Sequence, residues 1–287
     1  MQAMLPGRAF TVLGAAGFVG QRVVARLRAA GAQVYAPARD DPALFTQPLG
    51  HVIYAAGLTA DYLARPFDTV EAHVGLLAQV LQHGRWDSLV YLSSTRLYDS
   101  LGAVDALESL PLLLDPAQPR HLYDLSKGLG ESLCQTVGGG RARVARLACV
   151  YEGVADVDGF LPALLRQVLS ASAQAGGGQA AMPSIKVESS PSFARDYVHV
   201  SDVVDGLIHI ALHGQQAVYN VASGGNTANA DLFDYLHKRW GCEIVATLPP
   251  GVSAAPRIRI DRMREEFGWH PRPLLEVLDT LGDKNRC

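Results

Sequence analysis

Residues 8–31 read RAFTVLGAAGFVGQRVVARLRAAG. Residues 9–13 are an apolar run long enough for one buried strand. Gly14, Gly17 and Gly20 follow at G-x-x-G-x-x-G spacing. From Phe18 the pattern turns helical: Val19, Val23, Val24 and Leu27 share one side, Arg22, Arg26 and Arg28 lie mostly off it, and Gly31 is a natural stop. A strand, a tight glycine turn and a helix in that order aim free backbone N–H groups and the positive helix end at one point, which suits a phosphate. The first glycine permits the turn, the second lets backbone approach a pyrophosphate, and the third lets the helix pack on the strand. The triplet alone also suits a purely structural turn, so the rest of the chain has to decide.

The 287 residues, 48% hydrophobic and 18% charged, suffice for one large domain or two intimate ones. A net charge of −3 carries no basic footprint for nucleic acid. No apolar run approaches the ~20 residues of a membrane span, and the first residues lack the apolar core of a signal peptide, so a cytoplasmic location is expected. Cys134, Cys149, Cys242 and Cys287 are scattered, with no C-x-x-C pair; reduced thiols and no metal site are expected.

Further strands are expected at 33–36, 51–55, 88–92 and 142–148, with helices at 66–83 and 121–137. The link DDPALFTQP barely holds a crossover helix and a further strand, so the sheet is expected to be trimmed there. Alternating strands and helices imply a parallel sheet with helices on both faces and ligands at the carboxyl ends of the strands. Past Tyr151 the character changes. A helix is expected at 160–169, a glycine-rich loop at 170–181, a strand at 183–187, an extended piece from Arg195 and then a helix capped by Ser201 or Asp202. A strand from Ala217, a helix at 230–240 and a last helix complete a smaller lobe, with the substrate cleft between the lobes.

Tyr123 and Lys127 stand at Y-x-x-x-K on a predicted helix, one turn apart on one face. An ammonium neighbour favours a phenolate, so the Tyr123 pKa is expected to fall toward general acid–base work. Ser94, at the mouth of what counts as the fifth strand, offers a hydroxyl to a substrate oxygen. A half-exposed tyrosine beside a surface lysine is the bland reading; the order of glycine turn, strand-end serine and helical Tyr/Lys argues against it.

GAAGFVG, YAAG, YLSSTRLYD, YDLSKGLGE and RDYVHVSDVVDG, with YNVASGG and the C-terminal EFGWHPRP, together resemble the extended short-chain dehydrogenase/reductases of the NAD-dependent epimerase/dehydratase group. The resemblance implies an α/β fold: a Rossmann-type doubly wound parallel sheet over 1–150, completed by about 196–225, with a smaller C-terminal substrate-binding lobe from 151–195 and 226–287. It implies that Gly14, Gly17, Gly20, Phe18 and Val19 bed a cofactor pyrophosphate. Ala55, Ala56 and Gly57 line the nicotinamide-side ribose, Lys127 holds that ribose and lowers the Tyr123 pKa, and Tyr123 is the acid/base. Ser94 polarises the substrate oxygen. Thr95, Arg96, Arg195 and Tyr197 complete the substrate side, Arg195 at the diphosphate of a nucleotide-sugar. The bland alternative for Arg195 is an ion pair with Asp196 or Asp202. A homodimer through the 66–83 and 121–137 helices is expected from the same resemblance.

NAD-preferring members carry an acidic residue where the second strand ends. Here Ala38 and Arg39 stand there, and an arginine suits a 2′-phosphate, so NADP is preferred over NAD; Asp40 or Asp41 reaching the ribose is the counter-reading. Thr95 and Arg96 replace the Asp-Glu of dehydratases, which disfavours dehydration. His73 stands where the resemblance has an asparagine that supports the active-site helix, and can donate similarly; Cys149 replaces an asparagine near the substrate phosphates; packing roles are the default for His51, His121 and His199. The expected activity is reduction of a 4-keto sugar or 4-epimerisation of a nucleotide-activated sugar. A reductase of a small ketone or aldehyde, and a non-catalytic NAD(P)-sensing protein, are the alternatives.

Overall fold

Strand β1 (Ala9–Leu13) lies between two parallel partners, β2 (Gln33–Tyr35) and β3 (Pro48–Tyr54), with α1 (Phe18–Ala29) crossing from β1 to β2. The computed structural model describes residues 5–175, 182–251 and 255–283. Only a 3-10 turn, Pro42–Phe45, fits between β2 and β3; the Asp41 carboxylate caps it, accepting from the Ala43 amide at 2.9 Å. No extra strand forms there, so β2 is the sheet edge, as the short link led one to expect.

After β3 the chain forms α2 (Pro66–Val70), one π-helical turn (Glu71–Gly75) and α3 (Leu76–His83). Inside the π turn the Ala72 carbonyl accepts the Tyr54 hydroxyl at 2.7 Å. Such turns break helical regularity and are frequent at functional sites; this one carries His73. The long strand β4 (Arg85–Ser94) follows. It is the fourth strand of the chain, not the fifth, because the trimmed link supplies none. Then come a 3-10 segment (Thr95–Leu101), β5 (Asp105–Ala106), α4 (His121–Val137) and β6 (Ala142–Leu147).

The smaller lobe begins with β7 (Cys149–Tyr151), α5 (Phe160–Ala175), β8 (Ser184–Val187) and β9 (Ala194–His199). Helix α6 (Val200–His213) and β10 (Val218–Val221) return to the large sheet. The chain closes with β11 (Asn226–Ala228), α7 (Asn229–Trp240), β12 (Glu243–Ala246), β13 (Arg257–Ile258), α8 (Asp261–Phe267) and α9 (Leu274–Asp283). Helix α5 outruns the expected 160–169, so residues 170–175 of the expected glycine loop are helical; residues 176–181 lie outside the described residues. Neither Ser201 nor Asp202 caps α6. His199 does, its Nδ1 accepting from the Ser201 amide at 3.2 Å, while Asp202 accepts from Arg272.

Six strands pair in the order β10-β6-β4-β3-β1-β2, every pair parallel. Phe10, Val12 and Val90 pack with Val23 and Leu27 of α1 and Val203 and Leu207 of α6 on one face. Val52, Tyr54 and Tyr91 pack with Leu77 and Val80 of α3 and Cys134 of α4 on the other. Each fully buried aliphatic side chain contributes about 1.5–3 kcal/mol. A third apolar cluster, built on Tyr151, Leu164, Leu236 and Leu278, holds the small lobe. Cys134, Cys149 and Cys242 are free thiols, and Cys287 lies outside the described residues. Among the described residues no helix is long and apolar enough to cross a membrane.

The chain winds to opposite sides of β1 through β2 and β3, which makes a crevice at their carboxyl ends. Gly14 closes it tightly. Its φ is +76°, and a Cβ there would lie 2.5 Å from the Ala56 nitrogen and 2.6 Å from the Ala55 oxygen. Gly139 has a similar φ of +55° but open space around it. Left-handed strain alone is worth about 1–2 kcal/mol, and forced overpacking adds ~1–3 kcal/mol. Gly14→Ala is therefore expected to lower unfolding stability by more than Gly139→Ala. Equal losses in denaturant titrations would show that the strand ends are not close-packed.

Candidate active site

A cleft of about 1610 Å³ opens at the carboxyl ends of the strands, between the two lobes. Single-ligand pockets run to roughly 300–1,000 Å³, so this one has room for two ligands side by side. Its floor runs from Gly17, Phe18 and Val19 at the start of α1, past Ala55, Ala56 and Gly57 after β3, to Ser94, Tyr123 and Lys127; Arg195 stands on the small-lobe side. Gly14 and Gly20 sit behind this wall. A Cβ on Gly20 would come within 2.2 Å of the Gly14 oxygen, so Gly20 serves the seating of α1 on its own turn.

Ser94 ends β4 and caps the next 3-10 segment, its Oγ accepting from the Arg96 amide at 3.2 Å. That bond fixes the oxygen and leaves the hydroxyl proton for a partner in the cleft. Tyr123 comes from the first turn of α4 and is only 4% exposed. Its ring is enclosed by Tyr62 at 5.5 Å, His73 at 5.3 Å and the Arg96 guanidinium at 4.6 Å. The expected lowering of the Tyr123 pKa by Lys127 does not hold. Burial raises the phenol above its ordinary value, and the opposing pull comes from Ser94, Arg96 and Thr59.

Lys127 explains the difference. Its Nζ lies 6.0 Å from the Tyr123 ring centre, donates to the Leu92 carbonyl at 2.8 Å and sits 4.9 Å over the Tyr91 ring. Burial brings the amine down to about 7, so at neutral pH it offers only part of a charge. Gly57 makes room for it: a Cβ there would lie 3.3 Å from Nζ and 2.9 Å from His73 Nε2. His73 is fully buried, with Nδ1 2.8 Å from the Ser126 hydroxyl, which donates to the Tyr123 carbonyl at 2.8 Å. Burial, with Lys127 nearby, lowers the imidazole to about 3, so it is neutral, and among the described residues its Nε2 has no hydrogen-bond partner. His73 thus ties the π turn to the first turns of α4. The other histidines pack: His51 meets Ser88, His121 accepts from the Asp115 amide and His199 caps α6.

Arg195 pairs with neither acid proposed for it. Asp196 accepts the backbone N–H groups of Ser223, Gly224 and Gly225 at 2.6–3.1 Å, and Asp202 serves Arg272. The Arg195 guanidinium lies 4.7 Å over Phe193 and donates toward Cys149 Sγ at 3.7 Å, on the cleft wall. Thr95 and Arg96 also line the cleft. Tyr197 does not: it is 5% exposed and packs into the small-lobe core with Tyr151. Arg39 is exposed on the loop after β2, away from the cleft wall.

Four residues were not singled out for the site in the sequence. Tyr62 follows β3 in a loop and meets Tyr123 only through the fold. Arg22 pairs with Glu152 across the two lobes. Asp124 and Arg120 stand beside Tyr123, and only their neighbourhood in YDLSK hinted at a role.

The description "NAD dependent epimerase/dehydratase family" matches residues 10–222. The chain belongs to that family. It is 26% identical over 208 residues to the UDP-glucose 4-epimerase of Azospirillum brasilense, a match covering 65% of this chain and 56% of that protein, so the chain spans little more than half of that relative's length. The solved structure of MoeE5, in complex with UDP-glucose and NAD, superposes with a TM-score of 0.73 at 20% identity, covering 97% of this chain and 98% of that one. RMD from Pseudomonas aeruginosa, complexed with NADPH, gives 0.71 at 25% identity, covering 97% and 99%.

Lys127 gives a pH-dependent test. Below about pH 7 its amine is charged in the folded and unfolded chains alike, and its burial lowers stability in full. Between about 7 and the 10.5 of an ordinary lysine the folded chain holds fewer protons, so stability rises with pH. Lys127→Met is expected to raise the melting temperature of the ligand-free protein more at pH 6 than at pH 9. An equal shift at both pH values would show that the amine is not buried as a cation.

Proposed function

We propose that the protein is an NAD(P)-dependent enzyme that reduces a 4-keto sugar or inverts C4 of a nucleotide-activated sugar. The observation that carries this reading is the convergence of Ser94 and Tyr123 at one end of a cleft whose other end is the start of α1. The residues fit a dinucleotide. The α1 amides at Phe18 and Val19 suit its pyrophosphate, and the missing Cβ of Gly57 leaves a cradle above Lys127 and His73. A bound nicotinamide supplies hydride chemistry at the sugar carbon. Lys127 holds the ribose beside it, with Leu92 O fixing the direction of Nζ.

Ser94 donates to the reacting oxygen and orients it. Tyr123, protonated at neutral pH because burial raises its phenol, gives its proton to a carbonyl oxygen as the carbon is reduced, or takes it from a hydroxyl in the reverse direction. Arg195, free of Asp196 and Asp202, faces the substrate diphosphate. No carboxylate follows Ser94 directly, which leaves elimination of water without the base that dehydratases of this family place there. Arg39, which has no ion pair among the described residues, supports NADP over NAD. Exposed Phe67, Val70 and Leu129 on α2 and α4 support pairing of two copies through those helices.

Tyr123→Phe is expected to lower kcat by about 10²–10⁴-fold with dinucleotide affinity unchanged; undiminished turnover defeats the mechanism. Arg195→Ala is expected to raise KM at least tenfold for a nucleotide sugar. An unchanged KM moves the assignment to a small ketone or aldehyde. Parallel titrations with NADP⁺ and NAD⁺ are expected to favour NADP⁺, and Arg39→Ala to erase the difference; tighter NAD⁺ overturns the Arg39 argument.

A further inference from the structure

Arg96 lines the cleft beside Tyr123 and Ser94. Its amide is bonded to Ser94 Oγ, so its backbone is fixed relative to the oxygen that touches the substrate. Its side chain folds back over the Tyr123 ring at 4.6 Å and the Tyr62 ring at 5.2 Å, and remains on the cleft wall. Only one of its five N–H donors meets an acceptor within hydrogen-bond reach among the described residues: Nη2 donates to the Tyr62 hydroxyl, at a long 3.4 Å.

The acidic groups around Arg96 leave its hydrogen-bond donors open. Asp124 lies beneath, 1% exposed, with Oδ1 3.9 Å from Arg96 Nε and Oδ2 4.0 Å from Arg120 Nη1. These are ion pairs without hydrogen bonds, and among the described residues Asp124 Oδ1 has no hydrogen-bond partner. The carboxylate steadies two guanidiniums and uses up none of their donors. Arg120 is further held by Ser100, to which its Nη2 donates at 3.0 Å. Asp99 stands in the same cleft and feels Arg195, Arg96 and Arg120. Three guanidiniums, those of Arg96, Arg120 and Arg195, stand around Asp99 and Asp124. Arg195, on the small-lobe side, is assigned above to the diphosphate. Of the other two, Arg96 is the one that lies against Tyr123, with most of its donors unspent.

A guanidinium with free parallel N–H groups, walled by two aromatic rings, matches a planar carboxylate as a fork. We propose that the sugar carries a carboxylate on the carbon next to the reacting centre, that it is a nucleotide-linked hexuronate, and that Arg96 grips this carboxylate with Arg120 adding charge behind it. The proposal rests on the nucleotide-sugar reading and narrows it. A 6-deoxy sugar leaves the part-buried Arg96 donors unpaired wherever it displaces water from them, which costs binding, whereas a uronate or its 4-keto form satisfies them.

The test is equilibrium binding to the dinucleotide-loaded full chain, with no turnover needed. The probes are three matched pairs: UDP-glucose and UDP-glucuronate, dTDP-glucose and dTDP-glucuronate, GDP-mannose and GDP-mannuronate. With the nucleotide the protein accepts, the uronate is expected to bind at least tenfold more tightly than its hexose. Arg96→Gln is expected to erase that ratio while hexose affinity stays within about threefold, and Arg96→Lys, which keeps charge but loses the fork, to recover only part of it. An unchanged melting temperature and dinucleotide affinity certify the fold of each variant. A hexose bound as tightly as its uronate overturns the proposal. So does an Arg96→Gln protein that loses both ligands equally, since Arg96 then only positions Tyr123. If no member of any pair binds to folded, dinucleotide-loaded protein, the nucleotide-sugar reading itself fails and this inference falls with it.

Discussion

Glu131 on α4 and Arg146 on β6 form a buried ion pair, 2.6 Å at its closest, with side chains 3% and 5% exposed. Arg146 reaches both carboxylate oxygens, Ser93 donates to the same carboxylate at 2.5 Å, and Arg146 also donates to the Tyr98 hydroxyl at 2.6 Å. Removing one member of such a pair leaves a bare buried charge and costs roughly 3–5 kcal/mol. Its structural consequence is larger than its energy. It clamps α4 to the two strands whose ends frame the cleft, and so sets Tyr123 and Lys127 against Ser94. Gly130 lets the helix come close: a Cβ there would lie 2.5 Å from the Tyr91 hydroxyl. Tyr123 and Lys127 are held by Glu131, Arg146 and Tyr98, which do not line the cleft.

The same closeness buries polar groups at the end of an otherwise apolar sheet. Lys127 is a buried amine that donates to the Leu92 carbonyl, and among the described residues His73 Nε2 and Asp124 Oδ1 are buried without hydrogen-bond partners. A protein selected only for stability would fill these positions with apolar side chains. Their retention at one end of the cleft is the pattern expected where groups are kept ready for a ligand. The π turn at Glu71–Gly75 belongs to the same cluster, since it delivers His73 to the first turns of α4 through Ser126.

Most of the layer architecture was legible in the chain itself. The turn from β1 to α1, the helix at His121–Val137 and the trimmed edge beyond β2 follow from apolar periodicity, glycine spacing and the length of one link, all local properties. The cleft wall at Gly17, Phe18 and Val19, and the meeting of Ser94 with Tyr123, were legible because each sits at a strand end or on a helix face fixed by that periodicity. Tyr197 was misread because an aromatic on a strand can face core or cleft, and packing against Tyr151 chose the core. The cap of α6 was misplaced by a few residues because a histidine ring can accept as a serine does.

The sequence by itself determined the order of strands and helices, the glycine turn and the set of polar groups available to a site. Those depend on backbone sterics and on apolar patterns over a few residues. The tertiary structure alone decided the electrostatics. Tyr123 is raised and not lowered, because its depth and the distance of Lys127 count for more than the four-residue spacing between them. Arg96 became a neighbour of Tyr123, and Arg195 was released from Asp196, through contacts between residues far apart in the chain. Desolvation and charge pairing depend on distances in space, and a linear pattern does not contain them.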